Sequence, residues 1–189
     1  MKLRLATSRD AKMIAALHAA SWQITYSTAL SADYLQRTVV SDREAIWAGR
    51  FASPKENQCV LLAEDESGVI GFACAFAAEH AEWGSYLDNL HVRQSRQGQG
   101  IGKALLVNMA QWCKLQAPER GLYLSVTHDN HCAQQFYLGL GARNADSWIW
   151  HAPDRSAVPA YWFLWESVET LISLQVNHSC DWAALKRTL

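Results

Sequence analysis

The chain has 189 residues, of which 50% are hydrophobic and 19% charged, a balance that indicates a folded globular protein rather than a disordered one. Its formal net charge of −1 excludes a strongly basic nucleic-acid-binding protein. The first ten residues lack the apolar run of a signal peptide, the longest near-apolar stretch (69–78) is too short to cross a membrane, and the five cysteines form no C-x-x-C pair. We therefore expect a cytoplasmic protein that binds neither membrane nor nucleic acid.

The chain up to Pro54 carries one strand-like segment and then the spacing of helices. Leu3 and Leu5 alternate with basic residues, which predicts a half-buried strand. A cluster of capping residues at 7–10 opens a helical pattern that ends near Tyr26. The other helices expected here are a short one at 31–35 and a main one that begins at the capping box Ser41–Glu44 and ends at Phe51.

After Pro54 the hydrophobic period changes to that of strands. The predicted strands are 59–63, 69–78 and 86–92, joined by polar turns. Since side chains alternate along a strand, the third should carry Tyr86, Asp88, Leu90 and Val92 on one face and Leu87, Asn89 and His91 on the other.

A polar, glycine-rich loop at 93–102 then leads into a long helix that Pro118 ends. The later predicted elements are strands at 121–127, from Gly141 toward Trp150 and at 160–168, a helix at 130–138, a loop bounded by Pro153 and Pro159, and a short helix at 181–187. The order β-α-α-β-β-β-α-β-α-β-β predicts an α/β fold in which a mixed, twisted sheet carries helices on both faces.

We expect one domain at 1–168 and a C-terminal extension at 169–189 that packs on this domain or on a partner subunit. The extension contains several large apolar side chains, namely Leu171, Ile172, Leu174, Val176 and Trp182. Because exposed apolar clusters usually mark interfaces, a homodimer is expected.

The most informative segment is the loop with three glycines, at positions 98, 100 and 102, that follows a strand and opens a helix. Free N–H groups and the helix dipole make such a loop an anion site, and phosphate or pyrophosphate is its usual ligand. The spacing fits neither a P-loop nor a dinucleotide-binding fingerprint. It does fit the pattern Q/R-x-x-G-x-G/A, through Gln97, Gly100 and Gly102.

The segment with this loop is one of three that make the chain resemble the GNAT acetyltransferase superfamily from Leu3 to about Trp165. The resemblance rests on three segments in order: Arg4–Thr7 with Asp10–Ala11; Leu87–Val92 with the glycine loop; and Val126–Thr127, Asn130, Ala133, Phe136–Tyr137 and Leu140–Ala142. It implies a three-layer fold with a mostly antiparallel central sheet. It also implies acetyl transfer from acetyl-CoA to a primary amine by direct attack in a ternary complex.

The same resemblance implies a place for the acetyl-CoA cosubstrate. The pyrophosphate would lie on the loop residues Gln97, Gly98, Gln99, Gly100, Ile101, Gly102 and Lys103. The pantetheine arm would pair like a strand with Leu90, His91 and Val92, and Asn130 and Ala133 would lie near the arm or its thioester.

The reaction calls for an acid that protonates the departing thiolate and a base that accepts a proton from the amine. Tyr137 matches the family position of the acid that protonates the departing thiolate. Asp88 is a candidate base because it is expected to share a face with Tyr86, where some relatives carry Glu. Glu79, His80, Glu82 and His91 remain alternatives, and so does a water relay without a dedicated base. We expect no metal, because the His128–His131 segment reads as a helix cap.

The acceptor is expected to be a small cationic amine, held in an aromatic pocket to which Trp22, Tyr26 and Tyr86 contribute. Two other functions stay open at this point. One is acetylation of a peptide N-terminus, and the other is a non-catalytic acyl-CoA-binding or regulatory module.

Overall fold

The computed structural model describes residues 1–180 and Trp182. The strands are β1 (Lys2–Leu5), β2 (Gln58–Asp65), β3 (Gly68–His80), β4 (Gly84–Val92), β5 (Leu122–Thr127), β6 (Arg143–His151) and β7 (Ala157–Trp165). The α-helices are α1 (Ala11–Thr25), α2 (Val39–Ala52), α3 (Ile101–Gln116), α4 (His131–Gly139) and α5 (Glu169–Ile172).

The strands form one seven-stranded sheet in the order β1-β2-β3-β4-β5-β7-β6. Every neighbouring pair is antiparallel except β4 and β5, which are parallel. The order of main elements and the mostly antiparallel mixed sheet are as the sequence predicted.

The two faces of the sheet are covered by different helices. On one face, α3 and α4 pack on a core that includes Leu105, Met109 and Phe163. On the other face, α1 and α2 contribute Ile14 and Trp47 to a second core. The large apolar side chains of these two cores are fully buried, so the three layers are fixed by hydrophobic burial on both sides.

The predicted division of β4 into two faces is wrong, because the strand contains a bulge. Cys74 pairs with Asn89 and Ala75 pairs with Leu87, which leaves Asp88 without a partner residue on β3. An extra residue of this kind shifts the alternation of side chains. Leu87 therefore joins Leu90 and Val92 in the core beneath α3. The His91 ring instead lies 5.2 Å from the Phe72 ring, on the α1–α2 side with Tyr86.

The capping box predicted at Ser41–Glu44 is also wrong. A π-helical segment, Tyr34–Thr38, continues directly into α2, so no helix begins at Ser41. The Ser41 hydroxyl donates to the carbonyl of Thr38 at 2.9 Å, as a serine inside a helix does. Tertiary burial of the apolar face overrides the local capping signal.

The predicted end of the loop at Pro159 is wrong as well, because Pro159 lies within β7. It is opposite Ile149 of β6, and its carbonyl accepts a hydrogen bond from the amide of His128 at 3.0 Å. The N–H that Pro159 lacks would point to the same side as this carbonyl, that is, toward the end of β5 and away from β6. The strand pairing with β5 ends at Thr127, so the missing N–H leaves the pairing of β7 with β6 intact.

The C-terminal segment is fastened to α3 through the fully buried Asn108. Its side chain donates to the carbonyls of Ala104 (2.8 Å) and His178 (3.0 Å) and accepts from the amide of Cys180 (2.6 Å). Leu171 is fully buried in the core beneath α3, so an apolar side chain that suggested an interface is covered within the chain. The homodimer stays a prediction.

The short helix predicted at 181–187 lies outside the described residues, apart from Trp182. Within the part of the chain that the structure describes, no helix has the length and apolar character that crossing a membrane requires.

Candidate active site

The glycine loop presents an open row of backbone amides at the start of α3. Gly98 and Gly100 have φ of +75° and +77°, and no atom lies within 4 Å of where a Cβ would stand on either. Among the described residues, none bonds to the backbone amides of 98–103. Arg93 donates to the carbonyl of Val69 at 2.7 Å and helps to fix the loop. The loop therefore has the free donors and the open space that a pyrophosphate needs.

A gap between β4 and β5 continues from this loop into the sheet. The two strands pair only at Ser85–Leu122 and Tyr86–Tyr123, although β4 runs on to Val92 and β5 to Thr127. Backbone groups of β4 beyond Tyr86 on this side are therefore free to pair with an extended ligand. The glycine loop follows β4 in the chain, and we refer to the gap and the loop together as the cleft.

Tyr137 of α4 is 9% exposed. Its ring packs edge-on against Phe136 and Trp165, with centroids 5.2 and 6.0 Å away. Burial raises the pKa of its hydroxyl, and the hydroxyl of Tyr26 adds to this effect. The phenol is thus protonated at neutral pH, and among the described residues it has no hydrogen-bond partner, so its proton is available to a ligand.

Asp88, at the bulge of β4, forms an ion pair with Arg50 of α2. Its Oδ2 lies 2.6 Å from Nη1 of Arg50 and also accepts a hydrogen bond from the Asn89 amide group. Its Oδ1 has no hydrogen-bond partner within the described residues. One oxygen therefore holds the carboxylate in place, and the other is left for a proton donor.

Tyr26, at the end of α1, links these groups electrostatically. Burial raises the pKa of Tyr26 to about 12; Arg43 opposes this rise, and Asp88 adds to it. Burial raises the pKa of Tyr86 as well, again with a contribution from Asp88. These interactions link Tyr26 after α1, Tyr86 and Asp88 on β4, and Tyr137 on α4.

Asn130 has a structural partner of its own. Its Oδ1 accepts a hydrogen bond from the Ala133 amide at 3.1 Å, which caps α4. The described residues contain no group of three His, Cys, Asp or Glu side chains that could hold a metal ion.

Residues 13–142 match the sequence model of the acetyltransferase (GNAT) family. The chain belongs to this family. Over 114 residues it is 34% identical to the uncharacterized N-acetyltransferase YuaI of Bacillus subtilis. That match covers 58% of this chain and 62% of the relative, so the chain spans less than two thirds of the length of the curated protein it matches.

Solved structures of GNAT proteins share the fold at low sequence identity. PaiA N-acetyltransferase from Thermoplasma acidophilum, in complex with coenzyme A, is 18% identical with a TM-score of 0.64, over 85% of this chain and 98% of that one. Ribosomal-protein-alanine N-acetyltransferase from Brucella melitensis is also 18% identical, with a TM-score of 0.66, over 88% of this chain and 99% of that one.

An aromatic wall lines the GNAT protein beside this cleft, on the sheet face that α1 and α2 cover only in part. Trp148 stacks on Trp162 with ring centroids 4.7 Å apart and is held by a 3.0 Å hydrogen bond from its Nε1 to Ser125. The rings form two groups, Trp22, Tyr26 and Trp150 with contacts of 5.2–5.6 Å, and Trp83, Tyr86, Tyr123, Trp148 and Trp162 with contacts of 4.7–6.2 Å, and we call the two groups together the aromatic wall. Trp22, Tyr26 and Tyr86, expected from the sequence at the acceptor pocket, all belong to it.

Sequence reasoning missed the two arginines of α2 that face the site. Arg43 is 4% exposed, and its guanidinium carbon lies 3.9 Å from the centroid of the Trp22 ring. Arg50 is the partner of Asp88. Their spacing could have identified them. Arg43, Trp47 and Arg50 are four and three residues apart, so they share one face of α2, on which Trp47 is buried.

Proposed function

We propose that this GNAT protein transfers an acetyl group from acetyl-CoA to a small primary amine, by direct attack in a ternary complex. The observation that carries the proposal is the pair of features at the end of β4, namely the stretch of β4 that does not pair with β5 and the free amides of the glycine loop that follows it. The protonated hydroxyl of Tyr137 and the Oδ1 of Asp88, which has no hydrogen-bond partner among the described residues, support it.

The cleft fits the cosubstrate in shape and charge. The amides of 98–103 would hold the pyrophosphate, and Lys103 adds a positive charge in the first turn of α3. The free backbone of 90–92 would pair with the amides of the pantetheine arm. Acetyl-CoA supplies an acetyl group on a thioester, which an amine can attack.

The residues of this chain would move two protons. The ammonium group of the acceptor first releases one proton to solvent, and Asp88 Oδ1, or a water that it holds, accepts a second proton from the amine as the new C–N bond forms. Tyr137 donates its phenolic proton to the sulfur as the C–S bond breaks, so that coenzyme A leaves as a thiol. The phenolate then takes up a proton from solvent, and Asp88 releases its proton to solvent, which restores both groups. A backbone N–H between Leu90 and Val92 would stabilise the negative charge that develops on the thioester oxygen.

The amine acceptor arrives as a cation, and the aromatic wall supports this class of molecule. The electron-rich faces of tryptophan and tyrosine attract ammonium groups, and Asp88 offers a carboxylate nearby. Trp22, Tyr26 and Tyr86 would make these contacts.

The test is a screen for acetyl transfer. Purified protein is incubated with acetyl-CoA and a panel of diamines, aminoglycosides, amino acids and peptides, and both free thiol and acetylated product are measured. We expect release of coenzyme A that depends on an amine and matches its acetylation. Acetyl-CoA binding without transfer to any amine would instead indicate a binding or regulatory module, and transfer only to peptides would indicate an N-terminal acetyltransferase.

A further inference from the structure

Arg43 is a buried cation whose hydrogen-bonding capacity is largely unused. It is 4% exposed; its Nη2 donates to the Oδ2 of Asp42 at 2.8 Å, and the Tyr34 hydroxyl, which donates to the same oxygen, lies close enough to interact with the guanidinium. Its Nε is fully buried and has no hydrogen-bond partner among the described residues. A guanidinium carries five N–H donors, and buried donors are nearly always satisfied.

The neighbours of Arg43 do not account for this vacancy. The oxygen of Asp42 that receives Nη2 also accepts a hydrogen bond from the Tyr34 hydroxyl, so this carboxylate is shared. Trp22 lies against the guanidinium carbon at 3.9 Å, and such a contact uses the face of the group rather than its N–H edge. Nη1, which has no hydrogen bond to a described residue and, unlike Nε, is not fully buried, is the nitrogen left for another acceptor.

Arg43 lies beside the proposed acceptor site. Its guanidinium carbon lies 3.9 Å from the centroid of the Trp22 ring, which in turn contacts the Tyr26 ring at 5.2 Å, and its charge acts on the Tyr26 hydroxyl, on which Asp88 also acts. Arg43 and Asp88 thus stand within electrostatic reach of one hydroxyl in the aromatic wall. The first offers unused donors and the second an unused acceptor.

We propose that Arg43 binds a carboxylate of the acceptor, so that the acceptor is a small molecule carrying both a primary amine and a carboxylate, as an amino acid does. The assignment rests on the proposed acetyltransferase function and narrows its substrate class. A carboxylate would fill the vacant donors of Arg43 through charge-assisted hydrogen bonds. The amine of the same molecule would meet Oδ1 of Asp88.

Buried positive charge also discriminates between classes of amine. Arg43 and Arg50 both reach the site from α2, so a polyamine or an aminoglycoside would bring further cations close to them. An amine with a carboxylate brings one charge of each sign, matched to Asp88 and Arg43.

The experiment uses amine pairs that differ only by the carboxylate: L-phenylalanine and phenethylamine, L-leucine and isoamylamine, L-lysine and cadaverine. For each member, kcat/KM is measured with acetyl-CoA on the full chain. In the pair that fits the aromatic wall best, we expect the amino acid to exceed its decarboxylated partner by at least about tenfold, because the partner leaves Arg43 unsatisfied.

Arg43→Gln should collapse this ratio toward one, mainly by raising KM for the amino acid, and Arg43→Lys should restore part of it. The matched control is Arg37→Gln, an exposed arginine just before α2, which should leave the ratio unchanged. If Arg43→Gln does not fold, the ratio in the wild type and in Arg43→Lys decides alone.

The outcomes separate the two proposals. Equal acetylation of both members of every pair, or a ratio that survives Arg43→Gln, overturns the role of Arg43 and leaves the acetyltransferase function standing. Absence of transfer to any amine in the wider screen overturns the acetyltransferase function and the assignment of Arg43 with it.

Discussion

The carboxylate of Asp88 and the guanidinium of Arg50 lie 2.6 Å apart, across the junction between β4 and α2. The pair exists because the β-bulge leaves Asp88 without a partner on β3 and because Arg50 extends from the buried face of α2. The contact occupies one carboxylate oxygen and leaves the other free. Asp88 is therefore both anchored and able to accept a proton.

Asp88→Asn should lower kcat more than Arg50→Gln does. The asparagine keeps the shape of the side chain but cannot accept the amine proton, so we expect a loss of about 10²-fold, the lower end for a positioned base. Arg50→Gln leaves the carboxylate in place and should cost less than about tenfold. Steady-state kinetics on both variants is the measurement, and equal losses would show that the ion pair acts as a structural unit.

Gly100→Leu should weaken acetyl-CoA binding at least tenfold, about 1.4 kcal/mol. The φ of +77° strains any side chain there, and the new atoms would enter the open space of the loop. Gly68→Leu is the matched control, because Gly68 also has a positive φ (+96°) and open space but lies in the turn between β2 and β3. Calorimetry with acetyl-CoA gives the affinity of each variant. Equal affinities would refute the assignment of the glycine loop as the pyrophosphate site.

Local signals identified part of the candidate site. The glycine spacing at 98–102 can be recognised without knowing which strands pair, and the resemblance to the family points to Tyr137. The bulge at Asp88 cannot, because it depends on the register between β3 and β4, set by residues distant in the chain. Pro159 was assigned to a loop for a similar reason, since its missing N–H is harmless only where pairing with β5 has ended.

Arg43 shows how a local signal can mislead. The Ser41–Glu44 segment has the residues of a capping box, which predicts a helix that begins there and gives no sign that Arg43 is buried. In the structure the preceding π-helical segment carries the helix past this point, and Arg43 falls on the buried face, five residues inside the helical stretch that follows Thr38. Burial of Val39 and Trp47 on that face outweighs the capping preference.

Asn108→Ala should destabilise the fold by about 1–3 kcal/mol, because it leaves buried carbonyl and amide groups of the C-terminal segment unpaired. Gln116→Ala, at the exposed end of the same helix, is the control and should change stability little. Urea unfolding monitored by tryptophan fluorescence gives both values. A decrease of less than about 0.5 kcal/mol in the free energy of unfolding for Asn108→Ala would mean that the C-terminal segment does not depend on the hydrogen bonds of Asn108.

Stability should fall as the solution becomes acidic, through the half-buried His91 of β4. Burial, with a contribution from Arg43, lowers the pKa of His91 from its ordinary value of 6.5 to about 4. The unfolded chain then binds a proton before the folded chain does, so stability is present above pH 6.5 and is lost as the pH falls toward about 4. The slope is at most about 1.4 kcal/mol per pH unit for this group.

Urea unfolding at several pH values between about 7.5 and 4.5 measures this slope. His91→Gln should flatten it, whereas His131→Gln, at the exposed start of α4, should leave it unchanged. The same dependence in wild type and in His91→Gln would assign the acid sensitivity to other groups, of which the buried His18 is the first candidate, since burial lowers its pKa too.

Tyr137→Phe should lower kcat roughly 10²-fold while leaving acetyl-CoA affinity nearly unchanged. The phenol proton is needed only as the C–S bond breaks, so its loss affects the transition state rather than the bound state. The phenylalanine ring keeps the edge-on contacts with Phe136 and Trp165, so stability should hold. Tyr161→Phe, the same change in a tyrosine of β7 that stacks on His128, is the control and should retain full activity.

Calorimetry measures the affinity of the Tyr137→Phe variant for acetyl-CoA, and steady-state kinetics measures its kcat. A fall in kcat of less than about threefold would assign Tyr137 to packing and the proton to water, and a matching loss of affinity would assign its hydroxyl to positioning of the cosubstrate.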